Sequence, residues 1–159
     1  MFGLFKTPTF LDERLGELRR SRGAWRGTLG LGGAAPVRLV VSGPAGAPDP
    51  EAMRLARSIA RDFPGWCPAI AQALFEHYEP YAEAVAAGEE EAPAEALPPI
   101  REASDVWAHT TIDFVQVSPL DGHLTVEIGC RVAWDDEHTL GARLRDGQLF
   151  GLNGSVLAP

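Results

Sequence analysis

The chain has 159 residues, a formal net charge of -8, and 23% of its residues are charged. That length can bury one core without staples, so a single domain over 1–159 is expected. The acidic balance excludes a nucleic-acid or anionic-membrane surface as the main business of the molecule. Phe2, Leu4 and Phe5 make the start apolar, but Lys6 and Pro8 end the run far short of a signal peptide or membrane span, which points to the cytoplasm. Cys67 and Cys130 sit in apolar settings and read as buried free thiols.

In residues 1–24, Leu11, Leu15 and Leu18 recur at helical spacing, with Asp12, Glu13, Arg14, Glu17, Arg19 and Arg20 on the other side. The spacing predicts a short amphipathic helix ending near Gly23. Trp25, Leu29 and Leu31 then alternate with small or polar neighbours, Gly32-Gly33 turns the chain, and Val37, Leu39 and Val41 alternate again. This is a first hairpin. No Lys-Ser/Thr follows the glycines, so they do not form a phosphate loop.

Asp49-Pro50-Glu51 is a strong helix start, with Asp as N-cap, Pro at the first helical position and an acid in the first turn. Met53, Ala56, Ile59, Ala60 and Phe63 form its apolar stripe, and Pro64-Gly65 is expected to stop it. A second helix is expected from near Pro68, with Ile70, Leu74, Tyr78, Tyr81 and Val85 inward and Pro80 kinking it or ending it early. His77 lies off that stripe and reads as solvated. Residues 88–99, with four glutamates among Ala and Pro, read as a mobile acidic loop within the domain.

A strand follows from about His109 to Ser118, and Asp121-Gly122 turns it into the plainest element of the chain. Leu124, Val126, Ile128, Cys130, Val132 and Trp134 alternate strictly with polar or small residues. That period means a strand with one buried face. A tight turn at Asp121-Gly122 pairs Val117 with Val126 and Val115 with Ile128, and brings His109 level with Trp134. Ile112, Phe114 and Phe150 then point to the second face, which the N-terminal segment and the helices could cover. Leu140, Ala142 and Leu144 resume the alternation after an acidic turn, and Asp146-Gly147 closes a last hairpin. For those three to share the buried face, the connection after Trp134 must be odd in length or carry a bulge.

The acidic turn puts Asp135, Asp136, Glu137 and His138 in consecutive positions. Carboxylates beside an imidazole suit a divalent metal or an acid/base pair. The candidate catalytic residues are His138, His109 and Glu137; the candidate metal ligands are Asp135, Glu137, His138 and His109. His123, about eleven residues away along the strand, is roughly 35 Å distant at ~3.3 Å per residue and is left out. The plain alternative is turn chemistry and protection of a sheet edge. No HExxH, CxxC, dinucleotide fingerprint or Ser-His-Asp order supports an enzyme.

The run from Trp134 to Gly141, W-D-D-E-H-T-L-G, together with Asp146-Gly147 and Gly154-Ser155-Val156, resembles a W-D-x-E-H-x-x-G block of bacterial domains of unknown function. Leu15-Gly16-Glu17-Leu18 and Trp25-Arg26-Gly27 resemble the opening of the same domains. The resemblance implies a small bacterial α+β domain with no activity to carry over. Small domains of this genre include immunity proteins that accompany toxins.

The expected fold is α+β: an antiparallel sheet of about five or six strands, with a helical hairpin inserted between an N-terminal β-hairpin and a C-terminal β-meander. The expected function is non-enzymatic binding of a protein partner of basic character, without cofactor, nucleic acid or membrane. The alternative is a metal-assisted or acid/base enzyme centred on residues 135–138.

Overall fold

The computed structural model describes residues 6–33, 35–89 and 97–159. Its frame is an eight-stranded sheet in which each strand lies beside the next in the chain: β1 (Thr9–Asp12), β2 (Gly16–Ser21), β3 (Ala24–Leu29), β4 (Val37–Val41), β5 (Thr110–Leu120), β6 (His123–Val132), β7 (Asp135–Arg145) and β8 (Gln148–Asn153). Every neighbouring pair is antiparallel except β4 and β5, which run parallel. A parallel pair needs a crossover, and α1 (Pro50–Ala86) supplies it. A 3-10 turn (Ala103–His109) then leads into β5.

The α+β class and the mostly antiparallel sheet agree with the sequence, but eight strands replace five or six. Two come from the N-terminal segment expected to be helical. Leu11, Leu15 and Leu18 do not share a face there: Leu11 is 82% exposed and Leu18 is fully buried. The cause is local. The Asp12 carboxylate accepts the backbone N–H groups of Arg14 and Leu15, both at 3.0 Å, and turns the chain after β1. Arg22-Gly23 then adopts left-handed φ values of 50° and 78° and closes a two-residue hairpin between Ser21 and Ala24.

The expected helical hairpin is one 37-residue helix. Its start follows the sequence: the Asp49 side chain accepts the Ala52 N–H at 2.8 Å, with Pro50 in the first turn. It does not stop at Pro64, nor at Pro80. Pro64, Pro68 and Pro80 all lie on its exposed side, so the carbonyls they leave unpaired can turn to water. Trp66, Ile70, Ala71, Leu74 and Tyr78 between them are buried. Burial of that stripe outweighs about 3 kcal/mol per interior proline.

The core lies between α1 and one sheet face. Leu18, Trp25, Leu39, Val115, Ile128 and Leu140 contribute from the sheet, and Met53, Ile59, Ile70 and Leu74 from α1. Trp25 is fully buried, and its indole N–H reaches the Pro44 carbonyl at 3.0 Å, pinning the loop before α1. Asp12, on β1, takes two hydrogen bonds from Arg57 on α1 at 2.6 and 2.8 Å, tying the edge strand to the helix. Neither cysteine is in a disulfide; Cys130 is buried, and burial pushes its thiol up to about 12.

The expected β5–β6 register holds at Val117–Val126 and Val115–Ile128. A bulge between Ile112 and Phe114 shifts the rest, so Ile112 pairs with Cys130 on the core face instead of the second face. His109 comes level with Ala133 through a 3.0 Å backbone hydrogen bond, one residue short of Trp134. Phe114 does lie on the second face: it is fully buried yet outside the main core, packed across its partner Gly129. That face is covered in part by the C-terminal tail. Val156 donates to the Thr139 carbonyl at 2.8 Å and packs over Gly141. Of the expected covers, the N-terminal segment is itself in the sheet and α1 takes the other face. The acidic loop expected at 88–99 lies, for residues 90–96, outside the described residues.

Candidate functional site

The connection after β6 is a two-residue turn, Ala133-Trp134, followed by a bulge. Val132 pairs with Asp135 and Arg131 pairs with Thr139, so Asp136, Glu137 and His138 have no partner on β6. The bulge restores parity, putting Leu140, Ala142 and Leu144 opposite Cys130, Ile128 and Val126. It also throws three polar side chains into solvent, where Asp136, Glu137 and His138 are exposed.

Asp135 stays behind, 8% exposed. Its Oδ1 accepts the His138 backbone N–H at 3.2 Å and lies 2.9 Å from His138 Nδ1; its Oδ2 accepts the Tyr81 hydroxyl at 3.1 Å. A carboxylate only accepts, so Nδ1 of His138 carries the proton. In the neutral ring Nε2 is then the basic nitrogen. Burial alone would raise the Asp135 carboxyl, but the hydrogen bonds from His138 and Tyr81 outweigh it and hold it below the usual carboxylate value.

Next to this pair, Trp134 Nε1 donates to Nδ1 of His77 at 3.0 Å. His77 must therefore be neutral, with its proton on Nε2. Burial lowers its pKa; the Asp135 charge opposes that and His138 adds to it. Its ring also packs 5.4 Å from that of Tyr81, and Trp134 meets Tyr78 edge to face, centroids 5.4 Å apart. The expected solvated state of His77 is thus corrected: it is half-buried and joins helix to turn. Residues 134 and 135 are clamped onto α1 through His77 and Tyr81, which the sequence reading left out of the site. The signal was present, because an inward-facing Trp134 needs an acceptor for its indole N–H.

The other candidates do not converge. Glu137 points into solvent as an exposed residue. His109 closes the 3-10 turn and lines shallow depressions with Arg131 and Ala133, and with Arg101 and Asp105, rather than with His138. His123 bonds its own turn, Nδ1 lying 3.0 Å from the Asp121 carbonyl. Among the described residues, no three His, Cys, Asp or Glu side chains are grouped to hold a metal ion. No serine or cysteine is hydrogen-bonded to His138 among them. Chemically the site is an oriented imidazole on a rigid base without an adjacent nucleophile.

On the helix side of the site the charge is one-sided. No Lys or Arg occurs between Arg61 and Arg101. Glu76, Glu79 and Glu83 are exposed within a turn of His77 and Tyr81, and Glu89 follows just past the helix end. Asp136 and Glu137 add two exposed carboxylates on the turn, while the exposed Arg131 on β6 lies opposite Thr139. No helix among the described residues is long and apolar enough to cross a membrane.

Fold and site together define an α+β domain whose long helix clamps an acidic hairpin turn. Residues 14–154 match the family described as a domain of unknown function, DUF6985, and the chain belongs to that family. No curated protein and no solved structure matches it.

Proposed function

We propose that this domain is a non-enzymatic binding module that presents these exposed carboxylates to a basic protein partner. The observation that carries this reading is the set of exposed carboxylates on the second half of α1 (Glu76, Glu79 and Glu83) and on the 135–138 bulge (Asp136 and Glu137), with no Lys or Arg in the chain between Arg61 and Arg101. The Trp134–His77 and Tyr81–Asp135 bonds hold the two segments in fixed relation, so little order has to be gained on binding. Such a surface acts chiefly on association rate and selectivity. An immunity-type domain facing a basic toxin fits this chemistry. The test compares affinity capture by the wild type and by a variant carrying E76Q, E79Q, E83Q, D136N and E137Q. A basic protein taken only by the wild type, and released by high salt, is expected. Identical captured sets would overturn the reading.

A second reading rests on the Asp135–His138 contact, in which a buried carboxylate orients an exposed imidazole as in acid/base sites. There His138 would serve as general base, or bind a metal through Nε2, with Asp135 orienting its ring from Nδ1. Calorimetric titration with zinc, repeated on His138→Ala, decides this. Heat that depends on His138 supports it, and absence of such heat removes the metal form.

A further inference from the structure

Away from the acidic turn, the middle of α1, the 3-10 turn, the start of β5 and the β3–β4 hairpin border an open cleft of about 550 Å³. That lies within the range of small-ligand sites, about 300–1,000 Å³. Phe63 and Cys67 line it from α1, Trp107 from the 3-10 turn, Thr111 and Ile112 from β5, and Val37 from β4. The Phe63 and Trp107 rings meet edge to face, centroids 6.3 Å apart, which fixes one wall. In a chain with 23% charged residues, no charged or histidine side chain lines this space among the described residues.

That chemistry selects the occupant. A charged ligand would lose its hydration with nothing ionic to replace it, a cost of several kcal/mol. The polar groups present are few: the Cys67 thiol and the hydroxyls of Thr110 and Thr111. The Thr110 hydroxyl already donates to the Val106 carbonyl at 2.8 Å, leaving its lone pairs and the Thr111 hydroxyl as the available handle. We propose that this cleft binds an uncharged, largely apolar small molecule, aromatic or alicyclic, carrying one hydrogen-bonding group. Its volume matches that of a compact ligand.

The probe is N-phenyl-1-naphthylamine, uncharged and fluorescent in apolar surroundings, set against its anionic relative 1-anilinonaphthalene-8-sulfonate. The expected result is saturable binding of the neutral dye at one site, with the anionic dye weaker by about tenfold or more. Cys67→Leu and Thr111→Phe, which fill the cleft from different elements, should each weaken the neutral dye while far-UV circular dichroism stays unchanged. Saturating neutral dye should also slow alkylation of Cys67 by iodoacetamide in the wild type. Non-saturable binding, equal affinity for the two dyes, or undiminished binding in both folded variants would overturn the proposal.

Discussion

Trp134 Nε1 and His77 Nδ1, 57 residues apart in the chain, share a 3.0 Å hydrogen bond that joins the β6–β7 turn to α1. Trp134 is 3% exposed, so the bond is formed where water competes poorly. Trp134→Phe removes the donor, leaves His77 Nδ1 without it and deletes part of a buried ring. A loss of about 1–3 kcal/mol is expected from the combined bond and cavity effects. Urea unfolding of the two proteins measures it. A variant as stable as the wild type would show the clamp to be passive.

The same histidine carries a pH dependence. Burial depresses the His77 pKa below its ordinary value of 6.5, so below that value the unfolded chain takes up a proton that the folded one resists. The contribution of His77 is therefore whole above pH 6.5 and is lost as pH falls from there through the depressed folded value. His77→Asn keeps an acceptor but cannot titrate. The stability gap between wild type and variant should shrink between pH 7.5 and about 5.5 in urea midpoints; a gap that stays constant would contradict the assignment.

Asp12 ties β1 to α1 with a side chain 6% exposed, facing an Arg57 side chain that is 33% exposed. Removing one partner of a fully buried pair costs about 3–5 kcal/mol, and the exposure of Arg57 brings the expectation for Asp12→Asn to about 1–3 kcal/mol. The hydrogen bonds from Arg57 lower the Asp12 pKa from 3.8 and outweigh its burial. The contribution is thus present above pH 3.8 and lost as pH falls through the lower folded value. A double-mutant cycle with Arg57→Ala isolates the pair, and strict additivity would refute the coupling.

On the second sheet face, a Cβ placed on Gly129 would overlap the ring of its cross-strand partner Phe114. Phe114 is fully buried, so its ring has little free space to move into. Gly129→Ala should cost about 1–3 kcal/mol by overpacking. Phe114→Leu in the same chain should recover part of it, since the smaller side chain leaves room. Thermal melts of the two single variants and the double variant check this; a double variant worse than the sum of the singles would rule out the steric account.

The strands of the C-terminal half were legible because period-two alternation and Asp-Gly turns specify register directly. Their pairing at Val117–Val126 is in the structure, and of the two ways expected to restore parity after Trp134 the structure uses the bulge, behind a two-residue turn. The N-terminal strands were hidden because three leucines fell at helical spacing by coincidence. Asp12 and Arg22-Gly23 decide that segment through turns rather than periodicity. Pro64, Pro68 and Pro80 misled in the opposite direction. A proline's cost is local, whereas the stripe that Trp66, Ile70 and Leu74 bury against the sheet is tertiary and wins. In the candidate site, consecutive Asp135 and His138 were readable, and their contact is present. His77 and Tyr81 were not placed there, because no spacing in one sequence reports which helix turn meets which hairpin.

Because every strand lies beside its successor, and only β4 and β5 meet in parallel, the sheet has an order in which it can be built. Short loops close at small entropic cost, so β1–β4 and β5–β8 can each zip by successive hairpins. The joint between β4 and β5 closes a span that contains all of α1, and it gains little until the helix has docked on both halves. Two early-forming meanders and one late seam follow from that arrangement. A break in the backbone between α1 and β5 would leave each meander with its own local pairings, and the helix would then be what recruits the second half to the first.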